Sequence, residues 1–480
     1  MKNNLVNPIL DVDSYKTSHY LQYPINTINE YAYIAARNNK GDIKSDRILF
    51  FGLSYIIQKY LSTKITKDDV NYAESIITKH GLLFNKKGWM KVVDNYDGLI
   101  PIKILSVPEG SLIPFRMPLV TVESTDEELF WLATYVETIL LRVWYPSTVA
   151  TLSWSIKQLI KSFMKKTSDN LDGLQFKLHD FGSRGVSSQE SAGIGGLSHL
   201  LNFSGTDTIV ALEYANNFYE NKDELYMPGF SIPASQHSSM CAWGKNKEKE
   251  AFSNMIDKFK DNKIFACVSD GYNIYNAVDN IWGKELKEKI LNSGATLVIR
   301  PDSGDPVEVV SYILKSLYKN FGGTINTKGY TVINPVVRVI YGDGINYNSI
   351  NKILSAMEKE KYSTDNIVFG MGGALLQQIN RDTFSFAYKS SAVKINNEWI
   401  SVAKNPITDT EKSQLTGKVT TNYNSYEKRY YVSSNENNSI MKIRYICKLS
   451  DEGKLEHFID KDNFEEIRDR INKETEKLEA

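Results

Sequence analysis

Cysteine is scarce in this chain. Three in 480 residues, Cys241, Cys267 and Cys447, with no CxxC spacing, fit a reducing cytoplasm better than a disulfide scaffold or a zinc site. Long apolar runs are missing too. The longest apolar-rich stretch, Leu129 to Trp144, carries Glu137 and Arg142, so it reads as a buried helix rather than a membrane span. The first residues, Met1 to Pro8, contain no apolar core of a secretion signal. A cytoplasmic protein with no membrane partner is predicted. Net charge is also lacking: Lys plus Arg and Asp plus Glu each total 57. No overall field therefore attracts nucleic acid, and an anionic ligand has to be held by a local cluster of cations. Neither a Walker A motif nor a GxGxxG fingerprint occurs, which argues against a P-loop or Rossmann enzyme.

What is present is ordinary globular material, 42% hydrophobic and 24% charged, enough for two or three domains. Residues 1–150 mix short helical and strand patterns. Ile102 to Val107 and Leu119 to Val122 read as strands, and Phe51 to Leu61 as an amphipathic helix. From about residue 173 the rhythm changes. Short β-rich runs end at His179-Asp180, Thr206-Asp207, Ser269-Asp270, Arg300-Pro301-Asp302, Gly342-Asp343 and Gly370-Met371-Gly372-Gly373, several followed by helical stretches. Tyr272 to Leu291, Pro306 to Phe321 and Ile345 to Glu360 are the predicted intervening helices. Strand, polar tip, helix is the pattern of an α/β fold with parallel strands, whose ligands sit at the carboxyl ends. The tips should converge there. After residue 385 the chain turns β-like, with Asn422-Tyr423-Asn424 and Ser434 to Asn438 reading as loops or hairpin tips and Phe464 to Leu478 as a charged terminal helix. The expected architecture is an irregular parallel α/β barrel over 151–384, beside an α+β domain built from 1–150 together with 385–480.

Two segments crowd imidazole, carboxylate, guanidinium and hydroxyl groups around Gly or Pro: His179-Asp180-Phe181-Gly182-Ser183-Arg184-Gly185-Val186-Ser187-Ser188 and Ser231-Ile232-Pro233-Ala234-Ser235-Gln236-His237-Ser238. Such a mixture suits a site where backbone and polar tips both approach a ligand. Gly372 and Gly373, after the run Ile367 to Met371, and Gly342-Asp343-Gly344 offer turns whose free N–H groups can cradle phosphate.

These segments resemble the signature regions of the nicotinamide phosphoribosyltransferase family, and the resemblance continues through Asp13-Ser14-Tyr15-Lys16, Arg300-Pro301-Asp302-Ser303-Gly304 and Arg381-Asp382. It implies transfer of a phosphoribosyl group from phosphoribosyl pyrophosphate to nicotinamide, releasing pyrophosphate, in NAD salvage. By that resemblance Phe181 stacks on the pyridine ring and Tyr15 of a partner chain covers its other face. Asp207 accepts from the carboxamide, with Ser231 and Arg300 in the same tunnel. Arg184, Arg300, Asp302, Gly342, Asp343, Gly372 and Gly373 face the ribose and phosphates. Arg37, Arg381, Lys389, Lys404 and Lys412 match residues that reach into the neighbouring subunit's site, which implies a homodimer with shared sites. His237 matches a histidine phosphorylated by ATP, with Asp270 orienting it. Asp302 and Asp343 would bind ribose hydroxyls or organise Mg²⁺ carried by the diphosphate, and no dedicated protein metal site is assigned. His179 reads either as a site residue or as support for the loop. Without the resemblance, Asp207 could equally be a strand-end cap.

The match has departures. Gln236 stands where animal members have Glu, which predicts looser ATP coupling; Ser183 replaces a Tyr and Ala387 a Ser. Three other readings compete. Nicotinate phosphoribosyltransferase is opposed by Asp207, which would repel a carboxylate. A silent binding protein is opposed by the intact set of polar residues. A flavin or sugar-phosphate enzyme rests on fold analogy alone.

Overall fold

A computed structural model describes residues 7–41, 43–221, 224–403, 414–434 and 438–479. It divides into two compact units, one comprising 1–151, 215–224 and 380–480, the other 152–214 and 225–379. Among the described residues no helix is long and apolar enough to cross a membrane.

The first unit is organised by a seven-stranded sheet with antiparallel pairing throughout. Three strands from the beginning of the chain, Thr27–Ala35, Val120–Ser124 and Ile102–Ser106, lie together in its centre. Strands from the end flank them, Ala387–Ile395 and Glu398–Ser401 on one side and Lys442–Leu449 and Leu455–Ile459 on the other. Thr27–Ala35 and Val120–Ser124 are buried along most of their length, whereas Ile102–Ser106 alternates buried and half-buried positions. The terminal helix is Phe464–Glu479, with Phe464, Ile467 and Ile471 buried.

Two expectations fail here. Leu129 to Trp144 is not one buried helix. It folds as short turns, Glu127–Leu129, Leu132–Tyr135 and Glu137–Leu141, before a long helix, Trp144–Thr167. Val136, with ψ of 2°, breaks the run. The carbonyl of Ala133 accepts from the Tyr388 hydroxyl, and the Thr134 hydroxyl donates to the buried Glu30 at 2.9 Å. One backbone carbonyl and one hydroxyl of this stretch thus have tertiary partners, which burial alone could not reveal. Asn422-Tyr423-Asn424 is not a loop either. It belongs to the strand Thr420–Asn424, paired with Arg429–Ser433, and Asn422 is buried. The hairpin tip lies further on, and Asn435 to Asn437 lie outside the described residues.

In the second unit, six parallel strands occur where the sequence pattern placed them: Leu178–Asp180, Gly205–Thr206, Ile264–Val268, Thr296–Arg300, Val337–Tyr341 and Ile367–Met371. In space the order runs Gly205–Thr206, Leu178–Asp180, Ile367–Met371, Val337–Tyr341, Thr296–Arg300, Ile264–Val268. Cyclically this is chain order, with one gap between Gly205–Thr206 and Ile264–Val268. The signature segment after residue 229 fills that gap. Thr206 N–H donates to the Phe230 carbonyl at 3.0 Å, and Ala266 N–H donates to the Pro233 carbonyl at 2.8 Å. Ser235 N–H then donates to the Ala266 carbonyl at 3.0 Å. Pro233 has no N–H to spend and contributes only its carbonyl, so it fits this irregular seam. Ala266, Val298 and Ile340 fill the curl, with Ile232 and Val368 packed against them.

The helices between the strands start where capping chemistry dictates. Asp305 accepts from Val307 N–H and Glu308 N–H ahead of Pro306–Phe321, with Pro306 in the first turn. Asn346 accepts from Ser349 N–H ahead of Tyr347–Lys359. The helix expected from Tyr272 begins at Ile274, capped by Asn273, and widens to a π-helical stretch over Ala277–Glu285.

Candidate active site

The carboxyl ends of the parallel strands surround a cavity of about 750 Å³. Because each strand stops at the same edge, the residues that follow it are delivered to one place. Phe181 and Arg184 come from the first strand's turn, Asp207 from the second, Arg300 and Asp302 from the fourth. Gly342 and Asp343 follow the fifth, and Gly372 and Gly373 the sixth; all of these line the cavity.

Two hydrogen-bonded clusters organise it. Ser231, on the closing segment, donates through Oγ to Asp207 Oδ1 at 2.7 Å, and Asp207 N–H donates to the Asp180 carbonyl at 2.9 Å. Asp180 is buried, and burial pushes its carboxyl up to about 6, although its Oδ1 accepts from Gly182 N–H at 2.7 Å. His179 beside it is driven toward the neutral imidazole by burial, partly opposed by the negative charge of Asp207.

The second cluster centres on Asp270, whose side chain is only 4% exposed while that of His237 is 45% exposed. Its Oδ1 meets His237 Nε2 at 2.9 Å. Its Oδ2 accepts from Asp302 N–H at 3.0 Å and from Ser303 Oγ at 2.5 Å. A carboxylate held by two donors on one oxygen presents the other in a fixed direction. With Nε2 engaged by Asp270, the other ring nitrogen, Nδ1, lies 3.9 Å from Asp302 Oδ2. Helix His237–Cys241 starts at this point, so His237 occupies its first turn. Arg300 pairs with Asp302 at 3.1 Å; its side chain is largely buried, and among the described residues its Nε has no hydrogen-bond partner.

The remaining predicted residues are placed as follows. Tyr15, Arg37, Arg381 and Lys389 belong to the first unit. Tyr15 is exposed, with its ring 4.9 Å from that of His19 in an edge arrangement. Arg37 donates through Nε to the Ser385 carbonyl at 3.0 Å, and Arg381 pairs with Asp382 at 3.0 Å. Lys404 and Lys412 lie outside the described residues. Ala387 opens the strand Ala387–Ile395.

Sequence reasoning gave no role to Ser303, Asn346 or Gln378. The first clamps Asp270, and the others line the cavity beside Ser183 and Gln236. Only Ser303 stood within a quoted motif; the position of a helix cap such as Asn346 beside the cavity is a tertiary fact. Cys267 is buried and its thiol is pushed up to about 12, which makes it chemically inert. Among the described residues no group of three or more His, Cys, Asp or Glu side chains could hold a metal ion.

Guanidinium groups, glycine turns and carboxylates at one barrel mouth suit a transferase that grips a polyanionic sugar and aligns a flat acceptor. Residues 176–435 match the nicotinate phosphoribosyltransferase (NAPRTase) family, and residues 7–104 match the nicotinamide phosphoribosyltransferase N-terminal domain. The nicotinamide phosphoribosyltransferase of Xanthomonas campestris pv. campestris is 48% identical over 418 residues, 87% of each chain. That of Mycoplasma genitalium is 34% identical over 86% of this chain and 95% of its own. Among solved structures, nicotinate-nucleotide pyrophosphorylase from Pyrococcus furiosus superposes with a TM-score of 0.60 at 14% identity over the whole of both chains. Human nicotinic acid phosphoribosyltransferase gives 0.51 at 14% identity, over 97% of this chain and 93% of that one. These two share the fold. In class, then, the protein is a pyridine phosphoribosyltransferase. More narrowly, the chain belongs to the nicotinamide phosphoribosyltransferase family.

Proposed function

We propose that the cavity joins nicotinamide to the phosphoribosyl group of phosphoribosyl pyrophosphate, forming nicotinamide mononucleotide and pyrophosphate in NAD salvage. The pyridine nitrogen supplies the electron pair for the new bond to the anomeric carbon, and the bond from that carbon to the pyrophosphate oxygen breaks. The transition state carries positive charge on the sugar and growing negative charge on the leaving group. Arg184, Arg300 and the N–H groups around Gly342 and Gly372–Gly373 answer the second, and the carboxylates of Asp302 and Asp343 suit the first or the ribose hydroxyls. Mg²⁺ bound with the diphosphate would add Lewis-acid neutralisation of the leaving group.

The observation that carries the choice of base is Asp207 in the cavity wall, with Ser231 donating to Oδ1 and Oδ2 left to accept from a carboxamide N–H. Nicotinate would meet a like charge there. The name of the matching family, nicotinate phosphoribosyltransferase, keeps the acid as the second reading.

ATP enters this reading as a facultative co-substrate. Its γ-phosphoryl group would pass to Nδ1 of His237, with ADP leaving. Asp270 would hold the imidazole in the tautomer that exposes Nδ1. Tyr15, Arg37, Arg381, Lys389, Lys404 and Lys412 would serve the site of a second copy in a homodimer.

The test is direct. Purified protein with phosphoribosyl pyrophosphate and Mg²⁺ is given nicotinamide or nicotinate, with and without ATP, and the mononucleotide is identified by mass. Nicotinamide mononucleotide, formed faster with ATP, is expected. Product from nicotinate alone would overturn the reading.

A further inference from the structure

A glycine inside a parallel strand weakens it, so its presence asks for a local reason. Gly370 is such a residue. It lies in Ile367–Met371, buried and paired with His179, one position before the strand's end. A Cβ built at Gly370 would stand 2.0 Å from Cε2, 2.2 Å from Cδ2 and 2.8 Å from Cζ of Phe181. No side-chain atom tolerates such distances. At Gly342, on the neighbouring strand's end, a Cβ would stand 3.3 Å from the same ring. The Phe181 ring therefore rests on the bare backbone of two adjacent strands.

That ring can give way in only one direction. Phe181 N–H donates to the Met371 carbonyl at 3.0 Å, and the next N–H, of Gly182, is held by Asp180 at 2.7 Å. Ala266, Val298 and Ile340 pack against Phe181 from the barrel interior. The open side is the cavity it lines. From this geometry we infer that Gly370 is a positioning residue for base binding: by lacking a side chain it lets Phe181 lie flat on the barrel floor and so sets the depth of the slot that accepts the pyridine ring. This rests on the reading of Phe181 as the wall against which nicotinamide stacks. Gly370 itself need not touch substrate; it acts through the ring.

The experiment is a double-mutant cycle on the full-length enzyme, with KM measured separately for nicotinamide and for phosphoribosyl pyrophosphate. Gly370→Ala should raise the KM for nicotinamide about 10-fold or more and leave that for phosphoribosyl pyrophosphate within about 3-fold. Phe181→Leu should raise the nicotinamide KM roughly 5- to 50-fold, the loss of one stacking face. Adding Gly370→Ala to Phe181→Leu should then cost less than about 3-fold, because the ring that clashes is gone. A general weakening of the fold would instead lower kcat and disturb both KM values alike. Equal increments from Gly370→Ala in the two backgrounds, or equal rises in both KM values, overturn the inference. Should Gly370→Ala fail to fold, the double variant decides: restored folding with the base affinity of Phe181→Leu supports the clash, and persistent unfolding overturns it. If Phe181→Leu alone leaves nicotinamide binding unchanged, the stacking wall is disproved and the inference falls with it. If Phe181→Leu weakens binding and Gly370→Ala does not, only the inference falls.

Discussion

The two ends of the parallel strands hold charge in opposite ways. At the amino ends, Lys177 is fully enclosed and donates to the carbonyls of Thr364 and Ile367 at 2.8 and 3.0 Å. Close by in the sheet, Arg338 spends one nitrogen on the carbonyls of Ile333, Asn334 and Val337, at 3.2, 2.9 and 2.7 Å. The Lys177 ammonium and this Arg338 nitrogen are bound to backbone carbonyls. At the carboxyl ends, Arg300 leaves Nε unpartnered, His237 Nδ1 makes no hydrogen bond, and Asp207 keeps one oxygen uncommitted among the described bonds. Buried polar groups are costly unless paired, so the uncommitted oxygen of Asp207 in the cavity wall marks where a ligand donor belongs. Charge at a strand end is thus structural or functional according to what the chain leaves over for others.

The comparison is broken most severely at His237. His237→Ala should abolish ATP hydrolysis while slow, ATP-independent synthesis persists, because the phosphate and base contacts remain; a coupled ADP assay checks it. An unchanged ATPase rate would remove the histidine from that step. Next in size is Arg300→Ala. Loss of a charge-assisted contact worth about 1.5 to 3 kcal/mol should lower kcat/KM for phosphoribosyl pyrophosphate roughly 10- to 150-fold, measured by initial rates.

The amino-end counterpart should leave activity nearly intact. Lys177→Met is expected to keep kcat/KM within about 3-fold, yet to change how stability depends on pH. Burial lowers the Lys177 ammonium to about 8. Between there and the ordinary lysine range, near 10.4, the unfolded chain binds more protons than the folded one, so this group makes stability rise with pH. The wild type should therefore gain on the variant by roughly 2 to 3 kcal/mol between pH 8 and pH 10.5, read from urea unfolding at both values. A constant difference would show that the amine is not desolvated.

Much of this was legible in the sequence, and the reasons differ by element. The six strand ends announced themselves because a parallel strand buried on both faces is an apolar run that must stop at polar or glycine residues. The helix Pro306–Phe321 was legible because Pro suits a first helical turn, whereas the caps Asp305 and Asn346 carried no reading. The seam made by Phe230 to Ser235 was not legible, since Pro233 obscures a strand and closure depends on partners about thirty residues apart on either side. Nor was the clamp of Ser303 on Asp270, or the need for glycine at 370, which exists only because Phe181 lies across it. Leu129 to Trp144 misled because burial does not tell one helix from several short ones, and the break at Val136 is a backbone feature its apolar sequence does not announce.

The claim on which the rest depends is that Asp207 reads the amide of the base. The decisive measurement is the ratio of kcat/KM for nicotinamide to that for nicotinate, in the wild type and in Asp207→Asn. A charge-assisted hydrogen bond lost and a repulsion added should give the wild type a preference above about a hundredfold. Asp207→Asn should narrow that gap while the KM for phosphoribosyl pyrophosphate stays within about 3-fold. Equal use of both bases by the wild type, or an unaltered ratio in the variant, would contradict the account.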